Sequence, residues 1–357
     1  MSSTRTNDNQ GKNVFMPNQT SATATTTGSV QPLAEHGSSR GLSQFIRRHG
    51  LVSFYALAYG LSWLAWLPYI LSQDGLGVFA FSVPKLLGTA QFLGVLPGAY
   101  LGPLGAAFIV TAISEGRAGL RRWRGRLLRF GVSGKWYAIA FFGVPALLMV
   151  GTLIVAPESV AGFRLPTLAL LLFYIPALLL QVVTTGLAEE PGWRDFALVR
   201  HQRRQGPLLG TLILSLLWAV WHFPLFLTEW GAALGGVNPR AIVIFTGFCI
   251  AISIVITWIF NKTRGSLPLA ILVHVSNNNF ASVLWFAMFT TLAAQDALLG
   301  GVVGFGVVAL VILAATRGKL GYDPQHDDEV VKTGYQKHSS EGLRRKHLRR
   351  SPTRPRS

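Results

Sequence analysis

An all-α membrane bundle of about eight transmembrane helices, with both termini in the cytoplasm, is the fold this sequence predicts, and three observations carry it. Half of the 357 residues are hydrophobic, and the mean hydropathy is +0.40. Charged residues make up only 13% of the chain, about half the ~25% usual in a soluble domain. Those charges are lopsided, 32 Lys and Arg against 15 Asp and Glu for a net +17, and they fall between the apolar runs. A soluble nucleic-acid binder with this pI of 10.8 would spread its charge over a folded surface, so no nucleic-acid partner is expected. The alternation of ~10-residue strands that marks a transmembrane β-barrel is absent. The single cysteine, Cys249, lies in an apolar run and excludes a disulfide framework.

Residues 1–48 are rich in Ser, Thr, Asn, Gln and Gly and read as a disordered polar tail, since they bury too little to offset ordering entropy. The first apolar stretch begins near Leu51, later than the ~15–30-residue window of a cleaved signal, and Arg47-Arg48 anchor it on the cytoplasmic side. Residues 49–316 form the transmembrane domain. Its apolar segments lie at 51–72, 87–114, 136–156, 166–190, 207–227, 241–260, 266–289 and 297–315. Each is near the ~20 residues that cross ~30 Å of hydrocarbon at 1.5 Å per residue. The second is long, and Gly94, Pro97, Gly98, Gly102 and Pro103 are placed to kink or split it. Residues 317–357 read as a basic disordered tail, with Arg344-Arg345-Lys346 and Arg349-Arg350 drawn to anionic lipid headgroups.

The loops set the orientation. Arg117, Arg121, Arg122, Arg124, Arg126, Arg129 and Lys135 separate segments two and three; Arg194, Arg200, Arg203 and Arg204 separate four and five; Lys262 and Arg264 separate six and seven. The alternate loops hold only Lys85, Arg164 and Arg240. The positive-inside rule therefore puts the basic loops and both tails in the cytoplasm of a multi-pass plasma-membrane protein.

Ionisable groups inside such segments cost about 2.5–3.5 kcal/mol each on insertion scales, so each is a candidate functional group. Of eight histidines, only His222 and His274 fall within apolar segments, and only Glu189 and Glu190 among the acids adjoin one with histidines to meet. Gly206-Pro207 is a turn signal, with Glu189 17 residues before Gly206 and His222 16 after it. Equal arms of an antiparallel hairpin return to equal depth, which makes 194–204 a helical extension rather than a loop. His274 and Asn278 share a helix face, and Glu190 and Arg194 are spaced i,i+4 for an ion pair. Taken singly, each has a structural reading: an interhelical hydrogen bond for a histidine, glue for Asn277-Asn278-Asn279, packing or interfacial anchoring for Trp193, Trp218 and Trp221. Jointly they make a hydrolytic set. A carboxylate out of bulk water serves as general base, an imidazole shares that work, and a His/Asn pair donates to a tetrahedral oxyanion. The same Glu189, His222 and His274 also suit a divalent metal, zinc first among the candidates, that would supply hydroxide; both mechanisms are open at this point.

The motifs Glu189-Glu190-x-x-x-Arg194, W-H-F-P around His222 and His274-x-x-x-Asn278, in this order on apolar segments, resemble the CPBP family. These are CAAX-protease and bacteriocin-processing (Abi) intramembrane peptidases, related to the type II CAAX prenyl endopeptidase. The resemblance covers about 166–290 and implies an eight-helix fold and an endopeptidase, glutamate-dependent or metal-dependent, acting on membrane-associated or lipid-modified peptides. It implies that Glu189 activates water, His222 partners it, His274 and Asn278 stabilise the oxyanion, and Glu190 and Arg194 support them. Asp195 stands where many relatives have Gly, an extra charge beside Arg194. Gly131-Val132-Ser133-Gly134 matches a GxSG serine-protease pattern but reads as a turn next to the most basic loop. The competing readings are a proton- or ion-coupled transporter using Glu189, His222 and His274 as a relay, and a non-catalytic scaffold or bacteriocin-immunity protein.

Overall fold

A computed structural model of the protein describes residues 37–86 and 88–325. Eight helices in it are long and apolar enough to cross a membrane: α2 (Gly50–Leu71), α3 (Gln91–Leu127), α4 (Gly134–Val155), α5 (Leu168–Gln205), α6 (Pro207–Leu227), α7 (Pro239–Lys262), α8 (Leu267–Met288) and α9 (Ala294–Thr316). They follow a shorter helix, α1 (Gly37–Arg48). No β-strand forms among the described residues, only two isolated bridges. The chain is a multi-pass, all-α membrane protein.

Three elements differ from the expectation. The polar tail gives way to helix at Gly37, before residue 48, because Leu42, Phe45 and Ile46 fall close together on α1 and Ile46 is buried. At the other end, residues just past α9 are tied to the bundle: Leu320 is fully buried and its carbonyl accepts from Asn261 Nδ2 at 3.0 Å. Residues 1–36 and the basic clusters at 344–350 lie outside the described residues. Finally, the most basic loop is largely helix. α3 continues to Leu127, swinging at Gly116 (φ 58°) to carry its arginines away from the apolar part. Glu115, at that bend, pairs with both Arg122 and Arg200 and so ties α3 to the extension of α5.

The breaks the sequence marks are present. α3 starts as two single turns, Gln91–Gly94 and Leu96–Ala99, and passes through a π-helical turn at Tyr100–Leu104. Pro103 sits inside that turn, where its missing N–H removes a rung of the helical ladder. α5 is likewise helical through Arg194–Arg204, as the hairpin arithmetic requires.

Close packing without large side chains joins α4 to α9. A Cβ at Gly304 would collide with the Leu147 carbonyl, and one at Gly151 with the Gly300 carbonyl. Small residues let two membrane helices approach backbone to backbone, where dispersion replaces the missing hydrophobic drive. Gly304→Val is therefore expected to destabilise the protein by roughly 1–3 kcal/mol. Gly306→Val, where the added Cβ meets open space, is the control. Thermal unfolding in detergent, read by tryptophan fluorescence, checks the pair; equal midpoints would show that α4 and α9 do not pack this closely.

Candidate active site

The EExxxR segment lies where α5 departs from α-helical geometry. π-helical turns at Val182–Gly186 and Pro191–Leu198 flank the single α-turn Leu187–Glu190. Pro191 cannot donate to the ladder, and the widened backbone after it turns Arg194 inward. Glu190 and Arg194 are fully buried, and Glu189 is 6% exposed. Arg194 Nε donates to Glu190 Oε2 at 3.0 Å, so the anticipated i,i+4 ion pair forms. The same guanidinium reaches Ser253 of α7 and lies 4.9 Å from the Trp218 ring centre.

Glu190 has a second partner. His274 of α8 stands 2.9 Å from Glu190 Oε1 through Nδ1. A carboxylate accepts, so Nδ1 carries the proton and Nε2 is the ring nitrogen left for other work. The sequence pairs Glu190 with Arg194 alone; the structure makes it the anchor of His274 as well.

Glu189 meets α6 through Trp218, whose Nε1 donates to Glu189 Oε2 at 2.9 Å. His222 follows one turn later and is 8% exposed. Its Nδ1 lies 2.9 Å from the Trp218 carbonyl, which can only accept, so this ring too is protonated at Nδ1 and presents Nε2. That carbonyl is available because α6 tightens at its end: the His222 main-chain N–H bonds back to Ala219, not to Trp218. Aromatic rings wall His222. Trp230 stacks on it at 5.5 Å and 12°, while Trp221 and Phe245 present edges at 4.6 and 5.2 Å.

Glu189, His222 and His274 are thus gathered around one indole, since the Trp218 ring also touches both imidazoles, at 5.6 and 5.3 Å. Asn278 lies one turn along α8 from His274 and is half-buried. Its Oδ1 accepts from Asn277 Nδ2 at 3.0 Å, which leaves its NH2 as a donor. Asn279 does act as glue, its Nδ2 donating to the Tyr174 carbonyl of α5. Asp195, the added charge, points away from this group and pairs with Arg126 of α3 at 2.8 Å.

Trp193 and Trp221 pack in the interior as expected, against Phe54 and Tyr55 and against Trp66 and Ser62. Trp218 does more than pack. Its signal was in plain view, a tryptophan four residues before the key histidine, but a propensity for interfaces explains such a residue equally well. His201 is a further buried histidine, hydrogen-bonded to Tyr55 at 2.8 Å. It belongs to the α5 extension, away from Glu189.

Among the described residues, no three His, Cys, Asp or Glu side chains gather as a group able to hold a metal ion. The set Glu189, His222 and His274 does not form one as the side chains stand. Trp218 touches all three, and Glu190 and the Trp218 carbonyl already take one ring nitrogen from each histidine.

Two similarities bear on this site. Residues 170–280 match the family model described as type II CAAX prenyl endopeptidase Rce1-like. The protein named CAAX prenyl protease 2 from Methanococcus maripaludis is 26% identical over 190 residues, half of this chain. The alignment spans 65% of that protein's length. The matched region takes in Glu189, Glu190, Arg194, His222, His274 and Asn278, on α5, α6 and α8. By these motifs and these similarities, residues 170–280 are similar to the type II CAAX prenyl endopeptidases.

Proposed function

We propose that the protein is a CAAX-type intramembrane endopeptidase that hydrolyses peptide bonds of membrane-associated or lipid-modified substrates, with Glu189 as the general base for water. The observation that carries this reading is the buried carboxylate of Glu189, held by one hydrogen bond, beside two imidazoles that each present a free Nε2.

Glu189 takes a proton from water while the water oxygen adds to the scissile carbonyl. His222, in a wall of aromatic rings with a carbonyl as its polar partner, is suited to share that proton through its Nε2 lone pair. His274 keeps its Nδ1–H on the Glu190 carboxylate and, when its Nε2 also carries a proton, donates Nε2–H to the oxyanion, with the Asn278 NH2 as second donor. The proton taken from water passes to the departing nitrogen as the C–N bond breaks. Glu190 and Arg194 fix the frame on which His274 is held. Zinc or another divalent metal would supply hydroxide here only if the Glu189, His222 and His274 side chains regrouped.

The same reading puts the basic ends of α3 and α5 in the cytoplasm of a plasma-membrane protein, against anionic lipid headgroups. The name of the Methanococcus maripaludis relative, CAAX prenyl protease 2, makes a prenylated CAAX peptide the first substrate to try. The test compares peptides released from host membranes, and from a farnesylated CAAX reporter peptide, by wild type and by Glu189→Ala. Release by wild type alone is the expected result. Ion flux without peptide release by wild type would overturn it in favour of a relay.

A further inference from the structure

We propose that Trp218 is a positioning residue for this hydrolysis: its indole N–H holds the Glu189 carboxylate while its main-chain carbonyl sets the tautomer of His222. The inference rests on the role given to Glu189 above and adds a residue that the three motifs do not contain.

The argument is geometric. Trp218 is 3% exposed, and its indole N–H and its carbonyl are each spent on a different member of the site. Nε1 donates to Glu189 Oε2 at 2.9 Å, and the carbonyl accepts from His222 Nδ1 at 2.9 Å. An indole is a donor only, so it can orient a carboxylate without ever competing for the proton that the carboxylate must take. A carbonyl is an acceptor only, so it forces Nδ1–H on His222 and leaves Nε2 as the basic nitrogen. Both constraints come from one rigid residue, whose ring is fixed between the His222 and His274 rings and under the Arg194 guanidinium. A base and its partner are thereby held in register by the same residue, the kind of support without which site geometry loosens. The local tightening at the end of α6 completes the device, because it frees the Trp218 carbonyl from its helical N–H.

Trp218→Phe removes the N–H and keeps an aromatic ring between the histidines. On the reporter or membrane peptide that wild type cleaves fastest, kcat is expected to fall about 10- to 100-fold, the range for one lost hydrogen bond to a charged group. KM should stay within about two-fold, because the indole holds the base rather than the substrate. The second readout needs no substrate. In 1H–15N spectra of the indoles, the resonance missing from Trp218→Phe is that of Trp218, and it should move in Glu189→Ala. An unmoved resonance would overturn the hydrogen bond. Loss of activity in Glu189→Ala with full kcat in Trp218→Phe would overturn the positioning role alone. Full activity in Glu189→Ala, or no cleavage by wild type, would instead overturn the catalytic reading and this proposal with it.

Discussion

Replacing Glu189 by alanine is expected to lower peptide cleavage by about 10³-fold or more while leaving the protein folded. General acid–base groups contribute about 10²–10⁴-fold, and here one carboxylate is asked to supply both proton removal from water and its return to the leaving nitrogen. Glu189→Gln should be equally inactive, because an amide keeps the shape and the acceptor for Trp218 but takes no proton. The fold should survive both changes. Within the bundle Glu189 holds a single hydrogen bond, from Trp218, and leaving that donor unpaired costs about 1–3 kcal/mol. Small-to-moderate loss of thermal stability with near-total loss of turnover is thus the expected signature. His222→Ala should fall short of it, by about 10²-fold, since Glu189 still activates water without a partner. Turnover above a tenth of wild type in Glu189→Gln would remove the residue from the reaction.

What the sequence made legible, and what it did not, follows from the range of the forces involved. The eight spans could be read because a hydrocarbon slab tests every residue of a segment alike, and length and mean hydropathy report the result. The breaks in α3 were legible for a similarly local reason, the missing N–H of proline. Helix past residue 114 was not: arginines read as a loop by their charge, yet Arg122 and Arg200 are held by Glu115, a contact 85 residues away in the second case. In the site, spacing along one helix was enough to foresee Glu190 with Arg194. It could not foresee that Glu190 would also hold His274, 84 residues on, or that Glu189 and His222 would meet through Trp218. Those contacts depend on the rotation of each helix about its own axis. That rotation is fixed by packing of all its neighbours, and in α5 also by π-turns that shift the face of every residue after Pro191.

The buried ion pair yields the second large effect, and it separates stability from catalysis. Glu190 and Arg194 have no exposed side-chain surface, and the pair's remaining contacts are His274, Ser253 and the Trp218 ring. Glu190→Ala strands a guanidinium away from water with no counter-charge, which costs about 3–5 kcal/mol, a large part of the ~5–15 kcal/mol that holds a typical protein folded. A sharply lowered unfolding temperature in detergent, with poor recovery from membranes, is the expected result. Removing both charges should reverse the first effect but not the loss of activity. In Glu190→Met with Arg194→Met the buried charge is gone, and apolar side chains of similar volume are often neutral or stabilising in place of such a pair. His274, however, loses the carboxylate that holds its Nδ1 proton and fixes its ring, so the oxyanion loses a positioned donor. The double variant is therefore expected to unfold near the wild-type temperature and to cleave at least about 10²-fold more slowly, the loss typical of a missing oxyanion donor. A double variant that is both stable and fully active would show that Glu190 and Arg194 serve the fold alone, whereas a Glu190→Ala protein as stable as wild type would show that Arg194 is not buried as a charge.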